Sequence, residues 1–220
     1  MNKQYRLAVF DWEGTLSDTL GQILNCVAQE AQRLQFGNLD EDLARQYVDL
    51  GLVNAIRKLF PHLDVNQHQQ LLAAVQQSML SKHADVYLMP GARDIVQKLA
   101  AQGMALAIAS NKSHAGLQRA LQQTGLSDYF KVTRTAGQLA AKPDPEMLEE
   151  ILQECMIPAS DALMIGDSVN DIQMASSIHV DAVGVNFYHQ QNESLYAAGA
   201  LAVFHDFESV GRFLNLPKEG

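Results

Sequence analysis

Short apolar runs, separated by longer stretches of helical periodicity, form the main pattern along this chain. A weaker apolar run lies near Val132, and five clearer runs occupy Leu7–Phe10, Ala105–Ala109, Leu163–Ile165, Ala182–Val185 and Leu201–Phe204. Most intervals between the later runs carry apolar residues at helical spacing. This alternation predicts an α/β fold in which a parallel sheet has helices on both faces.

The interval between the first two runs is longer and contains no strand signal. Apolar residues follow helical spacing from Leu20 to Leu34, Gly37 provides a stop, and further helical patterns cover about Glu41–Val48, Leu52–Phe60 and Asn66–Lys82. We therefore predict a Rossmann-like core made of residues 1–16 and 88–220. A small all-helical domain, residues 17–87, is predicted to be inserted after the first strand.

Composition and charge narrow the classes of partner. The chain has 220 residues, a formal net charge of -9 and 47% apolar residues, so clustered basic surface for nucleic acid or anionic membrane is not expected. Cys26 and Cys155 lie far apart without metal-type spacing, which favours reduced thiols. The N-terminal apolar run is too short for a secretion signal and is interrupted by Asp11. The expected location is cytoplasmic.

Polar residues able to take part in chemistry directly follow three of the predicted strands. Asp11 and Glu13 come after the first run, Ser110 and Asn111 after the second, and Asp167 after the third. Ligands of open parallel sheets bind beyond the carboxyl ends of the strands. Carboxylates at such an edge suit a divalent cation, which prefers hard oxygen ligands.

The segment DWEGTLSD, residues 11–18, resembles the DxDGTLxD motif of haloacid dehalogenase-like (HAD) phosphohydrolases. Three later segments resemble the other motifs of that family in order, namely SNK at 110–112, KPDP at 142–145 and GDSVND at 166–171. The resemblance implies the HAD fold with a helical cap, and a Mg²⁺-dependent phosphatase that forms an aspartyl-phosphate on a small phosphorylated metabolite. The layout is most similar to phosphoglycolate phosphatases.

The resemblance also implies a role for each motif residue. Asp11 would be the nucleophile, and Asp167 would complete the Mg²⁺ site with Asp11 and the backbone carbonyl of Glu13. Asp171 would orient Lys142 or a metal-bound water, and Thr15 would be structural or would assist Glu13. The groups expected to bind phosphoryl oxygens are Ser110, Asn111 and Lys142.

Glu13 departs from the family pattern, which has aspartate at that position as the general acid and base. The longer side chain leaves the backbone carbonyl available but moves the carboxyl group by one methylene, and a misplacement of about 1 Å can cost about 10²-fold in rate. We expect a functional but slow phosphatase, in which Glu13→Asp raises turnover.

Several alternatives remain open at this stage. A phosphoglucomutase-like or pyrophosphatase member of the family fits the same motifs, and the altered Glu13 leaves a non-catalytic phosphate- or partner-binding module possible. In the insert, Arg45 or Arg57 could recognise a second anionic group or be solvated. Lys112 is expected to be a solvated lysine, and His179 a left-handed helix cap. Monomer and homodimer are not distinguished.

Overall fold

The computed structural model describes residues 3–40, 43–44, 47, 50–80, 86–188 and 192–216. The chain divides into two compact units. One unit, called the sheet unit, comprises residues 1–17 and 88–220, and the other, called the helical unit, comprises residues 18–87. In the described parts of the chain, no helix has the length and apolarity needed to cross a membrane.

The sheet unit is built on six parallel strands in the order β3-β2-β1-β4-β5-β6. Their bounds are β1 Leu7–Phe10, β2 Ala105–Ser110, β3 Val132–Thr135, β4 Ala162–Gly166, β5 Asp181–Val185 and β6 Val203–Phe204. Successive side chains of a strand point to opposite faces, and all four residues of β1 are fully buried. Both faces of the sheet are therefore covered at β1, as the apolar run predicts for a parallel sheet.

The predicted α/β class and its strands are confirmed, with small differences at the ends. The last strand is shorter than the predicted Leu201–Phe204, because Leu201 is 55% exposed and only Val203–Phe204 forms β6. The register aligns Phe10 of β1 with Ile108 of β2 and Ile165 of β4. The residues that follow these three central strands consequently lie at one edge of the sheet.

Helices connect the strands of the sheet unit. Numbered after the helices whose bounds are described in the helical unit, they are α4 Ala92–Ala101, α5 His114–Thr124, α6 Glu146–Cys155, α7 Val169–Ser177, α8 Glu193–Ala198 and α9 Phe207–Phe213. Leu7 and Val9 of β1 share one buried apolar cluster with Met147, Leu148 and Ile151 of α6. This cluster supports the strand that carries Asp11.

The helical unit has an apolar core of its own. Its helices are α1 Thr19–Arg33, α2 Gly51–Leu59 and α3 Val65–Leu80. Apolar residues of these helices and of their connections pack together, including Val27, Ala31, Ile56, Phe60, Leu71 and Val75. Most of the predicted helix at Glu41–Val48 lies outside the described residues. Within that range, Leu43 and Ala44 are described and are helical.

The first helix ends earlier than the predicted stop at Gly37. Helix α1 ends at Arg33, and Gln35 takes the left-handed conformation with φ 60°. The N–H of Phe36 donates to the carbonyl of Ala31 at 2.8 Å, which closes a Schellman motif. Phe36 then packs against the core of the helical unit, so burial of an apolar side chain accounts for a glutamine where glycine is usual.

Candidate active site

Three candidate residues lie at the edge of the sheet where the central strands end. Asp11 follows β1, Ser110 is the last residue of β2, and Asp167 follows β4. The Asp11 N–H donates to the carbonyl of Ile165 at 2.9 Å, which extends the β1–β4 pairing by one residue. Asp11 and Ser110 are buried, so these polar groups sit in the floor of the site.

Lys142 is a buried cation between two carboxylates. Its Nζ lies 2.7 Å from Asp11 Oδ1 and 2.6 Å from Asp171 Oδ1, and it donates to the carbonyl oxygen of Ala109 at 3.1 Å. The Lys142 side chain is only 3% exposed. A charge this deeply buried requires paired partners, which explains why the lysine stands next to both acids.

Asn111 anchors the segment that carries Lys142. Its Oδ1 accepts the Lys142 backbone N–H at 2.9 Å, a contact that joins residues from two separate motifs. The structure therefore shows Asn111 holding this segment through its amide oxygen, whereas the sequence suggested only an amide donor for phosphate.

Both carboxylate oxygens of Asp171 are occupied. Oδ1 accepts from Lys142 Nζ, while Oδ2 accepts from the Ser168 hydroxyl at 2.6 Å and from the Ser168 N–H at 3.0 Å. Ser168 and Asp171 form the capping box of α7. Asp171 thus contacts both the start of α7 and the Lys142 ammonium; the contact with Ser168 was not predicted.

Asp167 is held from the first loop by Thr15 and Gly14. The Thr15 hydroxyl donates to Asp167 Oδ1 at 3.1 Å, so Thr15 assists Asp167 and not Glu13. Gly14 has φ +79°, and a Cβ at that position would lie 2.2 Å from Asp167 Oδ2. Only glycine permits this approach of the loop to the carboxylate.

Lys112 pairs with Glu13, which corrects the prediction that it is a solvated lysine. Its Nζ lies 2.8 Å from Glu13 Oε1. Lys112 stands two residues after Ser110, at the same edge of the sheet as Asp11. That position is the signal from which its proximity to Glu13 follows.

Burial governs the electrostatics of the acidic residues. Burial raises the pKa of Asp11 well above its ordinary value. The nearby charge of Asp171 raises this pKa further, and the charge of Lys142 lowers it. Burial, with Asp171 next in importance, raises the pKa of Asp167 to about 6. Burial alone would lower the pKa of Lys142, but the charges of Asp11 and Asp171 outweigh it and raise that pKa. Negative charge is therefore in excess at this edge.

The donor set fits a hard divalent cation. One carboxylate oxygen from each of Asp11, Asp167 and Asp171 lies within 4.8 Å of the other two. Carboxylate oxygens are the ligands that Mg²⁺ prefers. Lys142 and Ser168 occupy both oxygens of Asp171, whereas the partners that the described residues supply to Asp11 and Asp167 are on Oδ1, Lys142 and Thr15 respectively. The second oxygens of Asp11 and Asp167 are therefore the ones that could face a cation.

The two candidate arginines belong to residues 18–87. Arg45 lies outside the described residues. Arg57 lies on α2 and lines, with apolar neighbours such as Val53 and Leu72, a cavity of about 470 Å³ within the helical unit. His179, in contrast, has φ 60° after α7, which confirms the predicted left-handed cap. The next residue, Val180, is buried.

Comparison with known proteins identifies the class that this fold and site define. The model of the haloacid dehalogenase-like hydrolase family matches residues 8–185. The chain therefore belongs to this family of hydrolases, which confirms the family inferred from the motifs.

Particular relatives agree with that class. The phosphoglycolate phosphatase of Rhodospirillum rubrum is 29% identical over 227 residues, covering 98% of this chain and 93% of the relative. That of Pseudomonas putida is 26% identical over 212 residues, covering 93% of this chain and 78% of the relative. The crystal structure of a HAD-superfamily hydrolase from Geobacter sulfurreducens has a TM-score of 0.68 at 18% identity, covering 96% of each chain. The last comparison concerns the fold alone.

Proposed function

We propose that this protein is a Mg²⁺-dependent phosphatase that hydrolyses a small phosphate monoester through an aspartyl-phosphate on Asp11. The observation that carries the proposal is the buried Asp11 carboxylate, whose Oδ1 lies 2.7 Å from the Lys142 ammonium and which offers an oxygen within 4.8 Å of one from Asp167. The two curated relatives described above are named phosphoglycolate phosphatases. A phosphoglycolate-like ester, a sugar phosphate or a nucleotide is the proposed class of substrate.

The proposed metal ligands are the carboxylates of Asp11 and Asp167 and the backbone carbonyl of Glu13. Burial raises the pKa values of Asp11 and Asp167 because it disfavours their ionised forms. A divalent cation bound between the two carboxylates would stabilise those ionised forms, which supports this set of ligands. When bound, Mg²⁺ would neutralise charge on the phosphoryl group and orient it for in-line attack.

The proposed reaction has two steps. A carboxylate oxygen of Asp11 bonds to phosphorus while the bond from phosphorus to the leaving oxygen breaks. Glu13 enters this step protonated on Oε2, since Lys112 contacts Oε1, and donates that proton to the leaving oxygen. Water then attacks the aspartyl-phosphate, Glu13 accepts a proton from it, and inorganic phosphate leaves with Asp11 restored. Ser110 and the Asn111 amide nitrogen bind the equatorial phosphoryl oxygens, on which the transition-state charge is spread. Lys142 joins them by exchanging its contact with Asp11 for one with a phosphoryl oxygen, since its three N–H donors are otherwise engaged.

Residues 17–87 are proposed to act as a cap. Such a cap would exclude water and contact the leaving group. Arg57 is a candidate for binding a second anionic group of the substrate.

A substrate panel tests this function. The wild-type protein is incubated with Mg²⁺ and p-nitrophenyl phosphate, phosphoglycolate, glucose 6-phosphate, AMP or pyrophosphate, and phosphate release is measured. We expect turnover of monoesters that stops with EDTA and returns when excess Mg²⁺ is added. Preference for pyrophosphate would instead support the pyrophosphatase alternative. No turnover of any compound would overturn the proposal in favour of a binding module.

Gly14→Ala is expected to abolish Mg²⁺ binding, because the added Cβ would take the place of Asp167 Oδ2. Gly103→Ala is the matched control, since Gly103 has φ +77° but open space around a Cβ. The backbone strain alone should lower the free energy of unfolding of each variant by roughly 1 kcal/mol. Calorimetric titration and the rise in melting temperature with added Mg²⁺ measure binding. Mg²⁺ binding that survives in Gly14→Ala at wild-type affinity would contradict the assignment of Asp167.

A further inference from the structure

The ion pair between Glu13 and Lys112 joins the first loop of the sheet unit to the end of β2. Its atoms lie 2.8 Å apart, and the side chains of Glu13 and Lys112 are 43% and 29% exposed. Partly exposed pairs of this kind add only about 0–1 kcal/mol to stability. A contribution to folding is therefore a weak explanation for the contact.

Lys112 is itself held in place at two points. Its backbone N–H donates to Ser110 Oγ at 3.3 Å, and its aliphatic chain lies against Gly116 at the start of α5. A Cβ at Gly116 would be 3.3 Å from Lys112 Cε and 3.5 Å from Cγ. A lysine restrained in this way presents its ammonium group in a defined place.

Glu13 needs such a restraint more than aspartate would. Its carboxylate is at the end of one additional rotatable bond, and a general acid that is displaced by about 1 Å can lose about 10²-fold in rate. In the described part of the chain, the partner found for the Glu13 carboxylate is Lys112. The contact fixes the end of the side chain that has the greatest freedom.

We propose that Lys112 is a positioning residue that holds the Glu13 carboxylate for proton transfer to the leaving group. This inference rests on the phosphatase function proposed above. The site then requires glutamate at position 13. In a Glu13→Asp variant, the carboxylate would lie about 1.5 Å closer to the backbone and would no longer reach the Lys112 ammonium. The expectation from sequence for Glu13→Asp is thereby reversed, and turnover is expected to fall.

The choice of leaving group isolates this role. An alkyl phosphate releases an alkoxide that must be protonated, whereas p-nitrophenolate leaves as a stable anion. Loss of Lys112 should therefore slow phosphoryl transfer from alkyl esters and spare transfer from p-nitrophenyl phosphate. A lysine that bound the phosphoryl group or merely supported the fold would affect both esters alike.

The test compares Lys112→Met, Lys112→Arg and the matched control Lys131→Met, which removes an exposed lysine before β3. The alkyl ester is whichever of phosphoglycolate, glucose 6-phosphate and AMP the wild-type protein hydrolyses fastest. We expect Lys112→Met to lower kcat for it roughly 10–10²-fold with KM unchanged. The stopped-flow burst of p-nitrophenolate should be unchanged, Lys112→Arg should recover part of kcat, and Lys131→Met should match the wild type.

A double-mutant cycle shows whether Lys112 acts through Glu13. Glu13→Gln removes the acid, so adding Lys112→Met to it should cause no further loss on the alkyl ester. Equal losses in both backgrounds, or a Lys112→Met protein with wild-type kcat, would overturn the inference while the phosphatase proposal stands. A wild-type protein inactive on every ester would instead be a failure of the proposed function.

Discussion

Asp11→Asn is expected to lower kcat by at least roughly 10³-fold on every substrate that the protein hydrolyses. The amide has nearly the same shape as the carboxylate, but it cannot act as the nucleophile, and removal of a catalytic nucleophile costs several orders of magnitude. Steady-state phosphate release with Mg²⁺ measures the loss. Trapping of ³²P-labelled protein after acid quench should detect a phosphoenzyme in the wild type and none in the variant.

Asp128→Asn is the matched control for this substitution. Asp128 is an exposed carboxylate in the connection between α5 and β3, and its conversion to asparagine makes the same change in charge. We expect wild-type turnover for Asp128→Asn. An Asp11→Asn protein that keeps more than about a tenth of wild-type activity would remove Asp11 from the nucleophile role.

Lys142→Met is expected to destabilise the protein as well as to inactivate it. The substitution leaves the carboxylates of Asp11 and Asp171 buried next to each other without their shared cation. Breaking one partner of a buried ion pair costs about 3–5 kcal/mol. Urea unfolding in EDTA should therefore show a fall of at least about 3 kcal/mol in the free energy of unfolding, while Lys131→Met should change it little.

A second substitution distinguishes the effect of unpaired buried carboxylates from the effect of lost side-chain packing. Asp11→Asn in the Lys142→Met background removes one of the two uncompensated carboxylates, so part of the lost stability should return. The double variant should remain inactive. If its unfolding free energy equals that of Lys142→Met alone, the loss arises from the packing of the lysine side chain and not from electrostatics.

Much of the sheet could be predicted because burial on both faces leaves a direct trace in the sequence. Leu7–Phe10 is apolar at every position, and the structure buries all four residues in β1. Helix ends were harder to predict. The end of α1 depends on Phe36 reaching an apolar core formed by residues distant in the chain, and that benefit outweighs the local preference for a glycine stop.

The candidate site also has a part that could be predicted from the sequence and a part that could not. Asp11, Ser110 and Asp167 could be placed together because each directly follows or ends a strand, and parallel strands bring their carboxyl ends to one edge. The position of Lys112 just after β2 places it near Glu13, but the contact between the two long side chains could not be predicted. Lys112 and Glu13 are 99 positions apart, and their pairing depends on the conformation of two loops and on the room left by Gly116.

The sequence by itself determined the α/β class, the family and the edge of the sheet at which the reactive groups gather. These properties follow from apolar periodicity and from the order of motifs along the chain, both of which are local. Only the tertiary structure decided which group each side chain contacts. Thr15 donates to Asp167, Asn111 accepts from the backbone N–H of Lys142, and Lys112 forms an ion pair with Glu13. Such pairings depend on distances of a few ångströms between segments that meet only after folding.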